Sequence, residues 1–218
     1  MTRGLRLALT LLLPMPLGAQ TPGTTKLAGR VPAEAIPAID SLIAAAVAES
    51  LPTEPLVQKA LEGSAKGIPP DRLVNGVRRG LLQLREARVL VGRALPGQPQ
   101  PEGHVAAVAA ALARGLPPSI AERMLTMAPG EPPAPALHAA ADLVAHRFNA
   151  DSAADLLVEA HAQGLHGDRL LDVATAADQE LQRGGGRTPA DALAHVRAML
   201  PNVPAPKVAV TPRGKTGS

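Results

Sequence analysis

Apolar residues recur every three or four positions through most of residues 33–200, the spacing that gives an α-helix one apolar face. The clearest stripe lies between Asp71 and Arg93 and consists of Leu73, Val74, Val77, Leu81, Leu84 and Val91. Proline and glycine cluster between such stretches, where they end helices. The pattern predicts an all-α protein of about seven to nine helices.

Three segments share one arrangement of marker residues. Their glycines are Gly67, Gly115 and Gly164, 48 and 49 residues apart, and an acid lies thirteen residues before each one. The acid favours the positive end of a helix dipole, and the glycine can adopt the left-handed conformation that ends a helix. Four residues later, an Asp or Ser is expected to cap the next helix: Asp71, Ser119 or Asp168, with Ser119 and Glu122 forming a capping box.

These markers predict three repeated antiparallel helical hairpins with a period of about 48 residues, close to the longer helical-repeat families. The hairpins can form a short α-solenoid or an irregular helical bundle, and the sequence leaves both open. Further helices are expected at 36–49, ending at Ser50 in a weaker version of the same turn, at 137–148 and at 189–200. Thr188 and Asp191 suit the N-cap and N3 positions of the last helix.

The two ends of the chain differ from this helical region. Residues 1–19 combine Arg3 and Arg6 with a short apolar run and small residues, which is typical of a cleaved secretory signal peptide. We expect a disordered linker at 20–32, the helical-repeat domain at 33–200 and a disordered, basic, proline-rich tail at 201–218. No cysteine follows the cleavage site and no later segment is predicted to span a membrane, so a periplasmic or secreted protein is expected.

Several residue types that carry chemistry are absent. The chain has no cysteine, tryptophan or tyrosine and only one phenylalanine. It therefore lacks thiol ligands, the aromatic platforms of sugar sites and the stacking rings that hold single-stranded nucleic acid. Common hydrolase motifs are also missing. These absences predict a protein that is not an enzyme, has no cofactor and does not bind nucleic acid.

Charge is distributed unevenly within the helical region. All 19 acidic residues lie in 33–200 and outnumber the basic residues there by four. Residues 71–93 nevertheless carry a net +4, and residues 151–182 carry a net −6. We predict one broad, exposed cationic surface formed by Arg72, Arg78, Arg79, Arg85 and Arg93. An exposed acidic surface is predicted through Asp155, Glu159, Asp172 and Asp178. Both are solvated faces, or they meet within one molecule or between two.

Two histidines stand out in the third hairpin. Aligned through the repeat, His161 lies on the inward apolar stripe, and His166 takes the turn position of Pro69 and Pro117. With Asp155 and Asp168 close in sequence, they form a candidate polar site that could bind a cation or move a proton. The alternative is a part-buried histidine bonded to the backbone and a solvated histidine in the turn.

The expected function is that of an exported, non-enzymatic helical-repeat scaffold or interaction protein of the bacterial cell envelope. Its partners are expected to be envelope proteins, because repeated hairpins form extended surfaces and separated charges favour docking. A weak contact of the basic residues with an anionic surface is a further option. The alternative function is a small metal-binding or catalytic helical protein centred on His161 and His166.

Overall fold

A computed structural model of the chain describes residues 26–183 and 187–202, and throughout these residues the protein is all-α. The described helices are α1 (Ile36–Ala48), α2 (Glu54–Ala65), α3 (Pro70–Ala94), α4 (Glu102–Ala113), α5 (Pro118–Met127), α6 (Ala134–Ala145), α7 (Ala150–Ala162), α8 (Arg169–Gln182) and α9 (Pro189–Met199). A short 3₁₀ turn, Leu200–Asn202, follows.

The three marker glycines end helices as predicted. Gly67, Gly115 and Gly164 have φ values of 66°, 91° and 86°, in the left-handed region that favours glycine. At each turn, the amide of the residue after the glycine bonds back into the last turn of the helix, as in Ile68 N to Gly63 O at 3.0 Å. This is the Schellman arrangement.

Two non-glycine residues make the same turn. Ser50 has φ 53° and Arg147 has φ 67°, and the amides of Leu51 and Phe148 close the corresponding bonds. Leu51 and Phe148 are both buried, as the following apolar residue of a Schellman motif commonly is. The turn after Ser50 was expected from the sequence, and the turn after Arg147 was not.

The predicted side-chain caps are wrong at the second helix of each hairpin. Helices α3 and α5 begin at Pro70 and Pro118, so Asp71 and Ser119 lie inside their first turns, and the capping box of Ser119 with Glu122 does not form. A proline at the first helical position has the required φ and no amide to cap. Asp168 is the N-cap residue of α8 but makes no side-chain cap bond. The predicted N-cap position of Thr188 and N3 position of Asp191 are confirmed, and the two side chains also form a capping box.

Helices pack in chain order. Among the described helices, every extensively packed pair consists of helices one or two positions apart in the chain, and α3, for example, packs on α1, α2, α4 and α5. One continuous apolar core runs from Leu27 to Leu200 and is built mainly of Ala, Leu and Val. Small alanine side chains allow adjacent helices to approach closely, which suits a core with one phenylalanine.

The packed helical domain begins before residue 33, the predicted start. Leu27 is fully buried and Val31 nearly so, Lys26 pairs with Glu54 at 2.8 Å, and the Ser64 hydroxyl donates to Arg30 O at 2.7 Å. Residues 26–32 therefore belong to the packed domain and are not a disordered linker. Two buried apolar residues four positions apart, one ion pair and one hydrogen bond anchor this segment. The predicted signal peptide at 1–19, the rest of the linker to residue 25 and the tail beyond Asn202 lie outside the described residues.

The longest described helix is α3, with 25 residues. Its six arginines make it far too polar for a bilayer interior. None of the helices in 26–183 and 187–202 combines the length and the apolar character needed to cross a membrane.

Candidate functional site

A basic cleft lies between α2 and α3. Its volume is about 430 Å³, and its charged lining consists of Lys59, Glu62, Lys66, Arg72 and Arg79. Ile68, Pro69 and Leu73 supply apolar lining. The two helices approach closely beside the cleft, where a Cβ on Gly63 would collide with Leu73 Cδ1.

Positive charge dominates this cleft. Lys66 pairs with Glu62, and the hydrogen bond from Lys66 lowers the pKa of the Glu62 carboxyl. Within the described part of the chain, no carboxylate forms an ion pair with Arg72, Arg79 or Lys59. The cleft therefore holds three cations, arranged around a concave surface, that no described carboxylate pairs with.

The remaining predicted arginines face other directions. All five arginines of the predicted cationic surface are exposed, as predicted, but they do not form one surface. Arg78 lines a separate depression beside α1, Arg93 pairs with Glu122 of α5, and Arg85 makes two bonds to the Glu49 carboxylate, at 2.8 and 2.5 Å. Helical geometry explains the division, because Arg72 and Arg79 are seven residues apart on one face while Arg78 lies about 100° away.

The acidic residues of α7 and α8 are largely paired within the molecule. Asp155 pairs with Arg123 at 2.5 Å, Glu159 with Arg197 at 2.6 Å and Asp178 with His146 at 2.7 Å. Asp155 and Asp178 are half-buried, contrary to the prediction of an exposed acidic surface, whereas Glu159 and Asp172 are exposed as predicted. The side chains that pair with these acids come from α5, α9 and the end of α6.

Glu180 of α8 is a buried carboxylate, with only 3% of its side chain exposed. The guanidinium groups of Arg183 and Arg187 both donate to it, and His195 Nε2 lies 3.7 Å away. A buried charge needs such partners, since an isolated one is strongly disfavoured. The cluster joins the end of α8 to α9.

A compact histidine cluster forms beside the third turn. His161 Nε2 and His166 Nδ1 are 3.0 Å apart, and Glu131 Oε1 lies 3.4 Å from the former and 3.0 Å from the latter. The two rings meet edge to face, with centroids 4.4 Å apart. His161 is mostly buried, with 19% of its side chain exposed, while His166 and Glu131 are about half-exposed.

The sequence indicated two of these three residues. Glu131 was missed because it lies in the loop between α5 and α6, thirty residues from His161 and outside the repeat pattern. Asp155 and Asp168, the two acids proposed from sequence proximity, are not in the cluster. Asp155 points to Arg123, and Asp168 is at the start of α8.

Comparison of the chain with protein-family models, with curated proteins and with solved structures finds no match. The geometry of its own residues is therefore the basis for any functional proposal.

Proposed function

We propose that this chain is an exported, non-enzymatic helical-repeat interaction protein of the bacterial cell envelope. Its basic cleft between α2 and α3 binds an acidic segment of a partner protein. The observation that carries the proposal is the gathering of Lys59, Arg72 and Arg79 around one concave site, where none of the three has an ion-pair partner among the described residues.

The helix arrangement supports a repeat architecture. Helices α2, α4 and α7 begin at Glu54, Glu102 and Ala150, at intervals of 48 residues. Each is preceded by helical structure and followed by a left-handed glycine turn and another helix. On this interpretation, the long α3 combines the last helix of one unit with the first helix of the next. Packing between near neighbours in the chain is the pattern expected of a solenoid.

The shape of the site favours a protein segment over a flat anionic surface. A membrane attracts basic residues spread over a convex or flat face. Here the cations surround a cleft with apolar residues Ile68 and Leu73 in its lining, so a side chain or turn of a partner can enter. Complementary charge would speed the encounter and select acidic partners.

Adjacent arginines on α3 allow a closely matched binding test. Arg79 lines the cleft and Arg78 lies outside it, so Arg79→Glu and Arg78→Glu make the same charge change at neighbouring positions. A fluorescently labelled, glutamate-rich peptide is titrated with each protein at low salt and its anisotropy is measured. We expect Arg79→Glu to weaken binding at least tenfold and Arg78→Glu to weaken it less than threefold. Wild-type affinity should fall as salt rises.

The same test can overturn the proposal. Equal losses in the two variants would show general charge attraction rather than a site. Binding to vesicles containing phosphatidylglycerol, without binding to the peptide, would assign the cleft to a membrane surface. An unchanged peptide affinity in Arg79→Glu would show that the cleft does not bind the acidic segment.

Export is tested separately. Protein isolated from its native host should begin at Gln20 or within a few residues of it, because the small residues Gly18 and Ala19 precede the expected cleavage site. Intact-mass measurement of the protein from periplasmic and cytosolic fractions checks this. An intact Met1 in the cytosol would contradict export while leaving the binding proposal open to its own test.

A further inference from the structure

We propose that Glu131, His161 and His166 form a binding site for one divalent transition-metal ion of the Zn²⁺ type. The three residues supply one carboxylate oxygen and two imidazole nitrogens, and a fourth position remains open to water or to a group on a partner. This site is separate from the basic cleft, and neither proposal depends on the other.

The distances between the three atoms fit a single ion. Ligand atoms bound to Zn²⁺ at about 2.0–2.1 Å in a tetrahedral site lie roughly 3.3 Å from one another. The three separations here are 3.0, 3.0 and 3.4 Å, so the atoms form nearly one face of such a tetrahedron. An ion can sit above this face with small side-chain movements.

Hydrogen bonds alone satisfy this triangle poorly. A hydrogen bond prefers a donor–hydrogen–acceptor angle above about 150°, so one N–H group can point well at only one of the two other atoms. Three acceptor-capable atoms that converge on one point are better served by a central cation. A cation also offsets the negative charge of Glu131, which has no Lys or Arg ion-pair partner in the described residues.

The backbone holds the ligands before any ion binds. His161 lies in the last turn of α7, where its carbonyl accepts from Gly164 N at 2.9 Å. His166 lies between Gly164 and Gly167, both with positive φ, and its carbonyl accepts from Arg169 N at 3.3 Å. Glu131 N bonds to Ala128 O at 3.0 Å. Three separate segments thus bring their side chains to one place, which lowers the entropic cost of binding.

The types of ligand atom limit which metal ions can bind here. Imidazole nitrogen suits Zn²⁺, Cu²⁺, Ni²⁺ and Fe²⁺, whereas Mg²⁺ and Ca²⁺ prefer sites made of oxygen atoms. The half-exposure of His166 and Glu131 leaves a route for the ion and space for a fourth ligand. Three protein ligands with an open position is the arrangement found in exchangeable and catalytic zinc sites.

The experiment uses the untagged chain, because a histidine tag would bind the same ions. Co²⁺ is titrated into the metal-free protein and its visible absorption is followed, since tetrahedral Co²⁺ absorbs far more strongly than the hydrated ion. Calorimetry with Zn²⁺ gives the stoichiometry and affinity. We expect one equivalent per chain and an increase in Tm on binding, because an ion that binds only the folded state stabilises it.

Variants localise the site. His166→Ala and Glu131→Gln should each lower Zn²⁺ affinity at least tenfold. His138→Ala is the matched control, because His138 is exposed on α6 and is not one of the three clustered residues, so the Zn²⁺ affinity of this variant should be unchanged. His166 is half-exposed in a turn, so its removal should preserve the fold, which circular dichroism checks.

Three results would overturn the proposal. The first is the absence of saturable Co²⁺ and Zn²⁺ binding by the wild-type protein. The second is equal affinity in His166→Ala and His138→Ala. The third is unchanged affinity in Glu131→Gln, which would remove the carboxylate from the ligand set. Binding of the acidic peptide should be the same in all these variants, so failure here is distinguishable from failure of the basic cleft.

Discussion

Helices α2–α3 and helices α7–α8 are joined by the same left-handed glycine turn, and each pair carries a strong local excess of charge. Their environments differ. The acids of α7 and α8 meet cations from other parts of the chain, as Asp155 does with Arg123 and Glu159 with Arg197. In the cleft of α2 and α3, Arg72 and Arg79 meet no such partner among the described residues.

The difference shows that a run of like charges predicts a charged surface only when the rest of the fold leaves it unpaired. Residues 71–93 and 151–182 are both strongly unbalanced when counted along the sequence. The packing of α5, α6 and α9 against α7 and α8 gives Asp155, Asp178 and Glu159 partners within the molecule. At the first run, Glu49 just after α1 and Glu122 of α5 supply carboxylates to Arg85 and Arg93, and the start of α3 remains cationic.

The largest expected loss of stability follows from a change at Glu180, the buried carboxylate of α8. Glu180→Gln keeps the shape of the side chain but removes its charge beside Arg183 and Arg187. Hydrogen bonds to charged groups contribute about 1.5–3 kcal/mol, so we expect the free energy of unfolding to fall by about 2 kcal/mol. Urea denaturation, monitored by circular dichroism, measures the change.

Glu159→Gln is the matched control for this prediction. Its partner is also an arginine, Arg197, but both side chains are more than one-third exposed. Exposed pairs contribute little, so its cost should be below about 1 kcal/mol. Equal costs for the two variants would mean that burial does not distinguish Glu180 from the exposed acids.

The local signals in the sequence predicted much of the fold. Glycine followed by an apolar residue and proline identified the turns at Gly67 and Gly115, because left-handed backbone is favourable for glycine and unfavourable for most other residues. Arg147 makes the same turn without this signal, and tertiary packing of Phe148 holds it there. Pro70 and Pro118 are also readable start signals in the sequence, and because they begin α3 and α5, Asp71 and Ser119 do not act as caps.

Sites built from distant segments were less predictable. His161 and His166 were identified because they are five residues apart and depart from the repeat pattern. Glu131 comes from another loop, and no local spacing connects it to the histidines. The same limit applies to charge, because the partners of Asp155 and Glu159 lie more than thirty residues away. Periodicity encodes helices, whereas these contacts depend on how the helices pack.

A smaller loss of stability, equal at the two positions, is expected when the glycine of the α2–α3 turn or of the α7–α8 turn is replaced. Gly67→Ala and Gly164→Ala should each lower the free energy of unfolding by about 1 kcal/mol, since a Cβ is unfavourable at positive φ. The space around both positions is open, so backbone strain is the only cost. Gly76→Ala is the control, because it lies within α3 at an ordinary helical φ and should be neutral or stabilising. Chemical denaturation compares all three, and unequal costs at the two turns would show that the turns are not equivalent.

A still smaller effect is expected on how stability depends on pH through the ion pair of Arg85 with Glu49. Hydrogen bonds from Arg85 lower the pKa of the Glu49 carboxyl below its ordinary value. A lowered folded-state pKa gives stability that is complete above the unfolded value, near 4.3, and is lost as the pH falls through the folded value. In Arg85→Gln, NMR titration should show the Glu49 pKa rising, while Arg78→Gln should leave it unchanged. A Glu49 pKa that is the same in wild type and Arg85→Gln would show that the pair is open in solution.

The smallest expected effect is on self-association, where we predict no dependence on salt. If the basic and acidic faces attracted each other between molecules, association would weaken as salt rises, because exposed charges are screened within about 10 Å at 0.1 M. The acids of α7 and α8 that would form this contact are instead largely engaged with Arg123, Arg197 and His146. Sedimentation velocity at low and high salt should therefore give the same coefficient, and Arg79→Glu should not change it. A salt-sensitive dimer weakened by Arg79→Glu would mean that these internal pairs exchange for intermolecular ones, and the cleft of α2 and α3 would then have a second copy of the chain as its acidic partner.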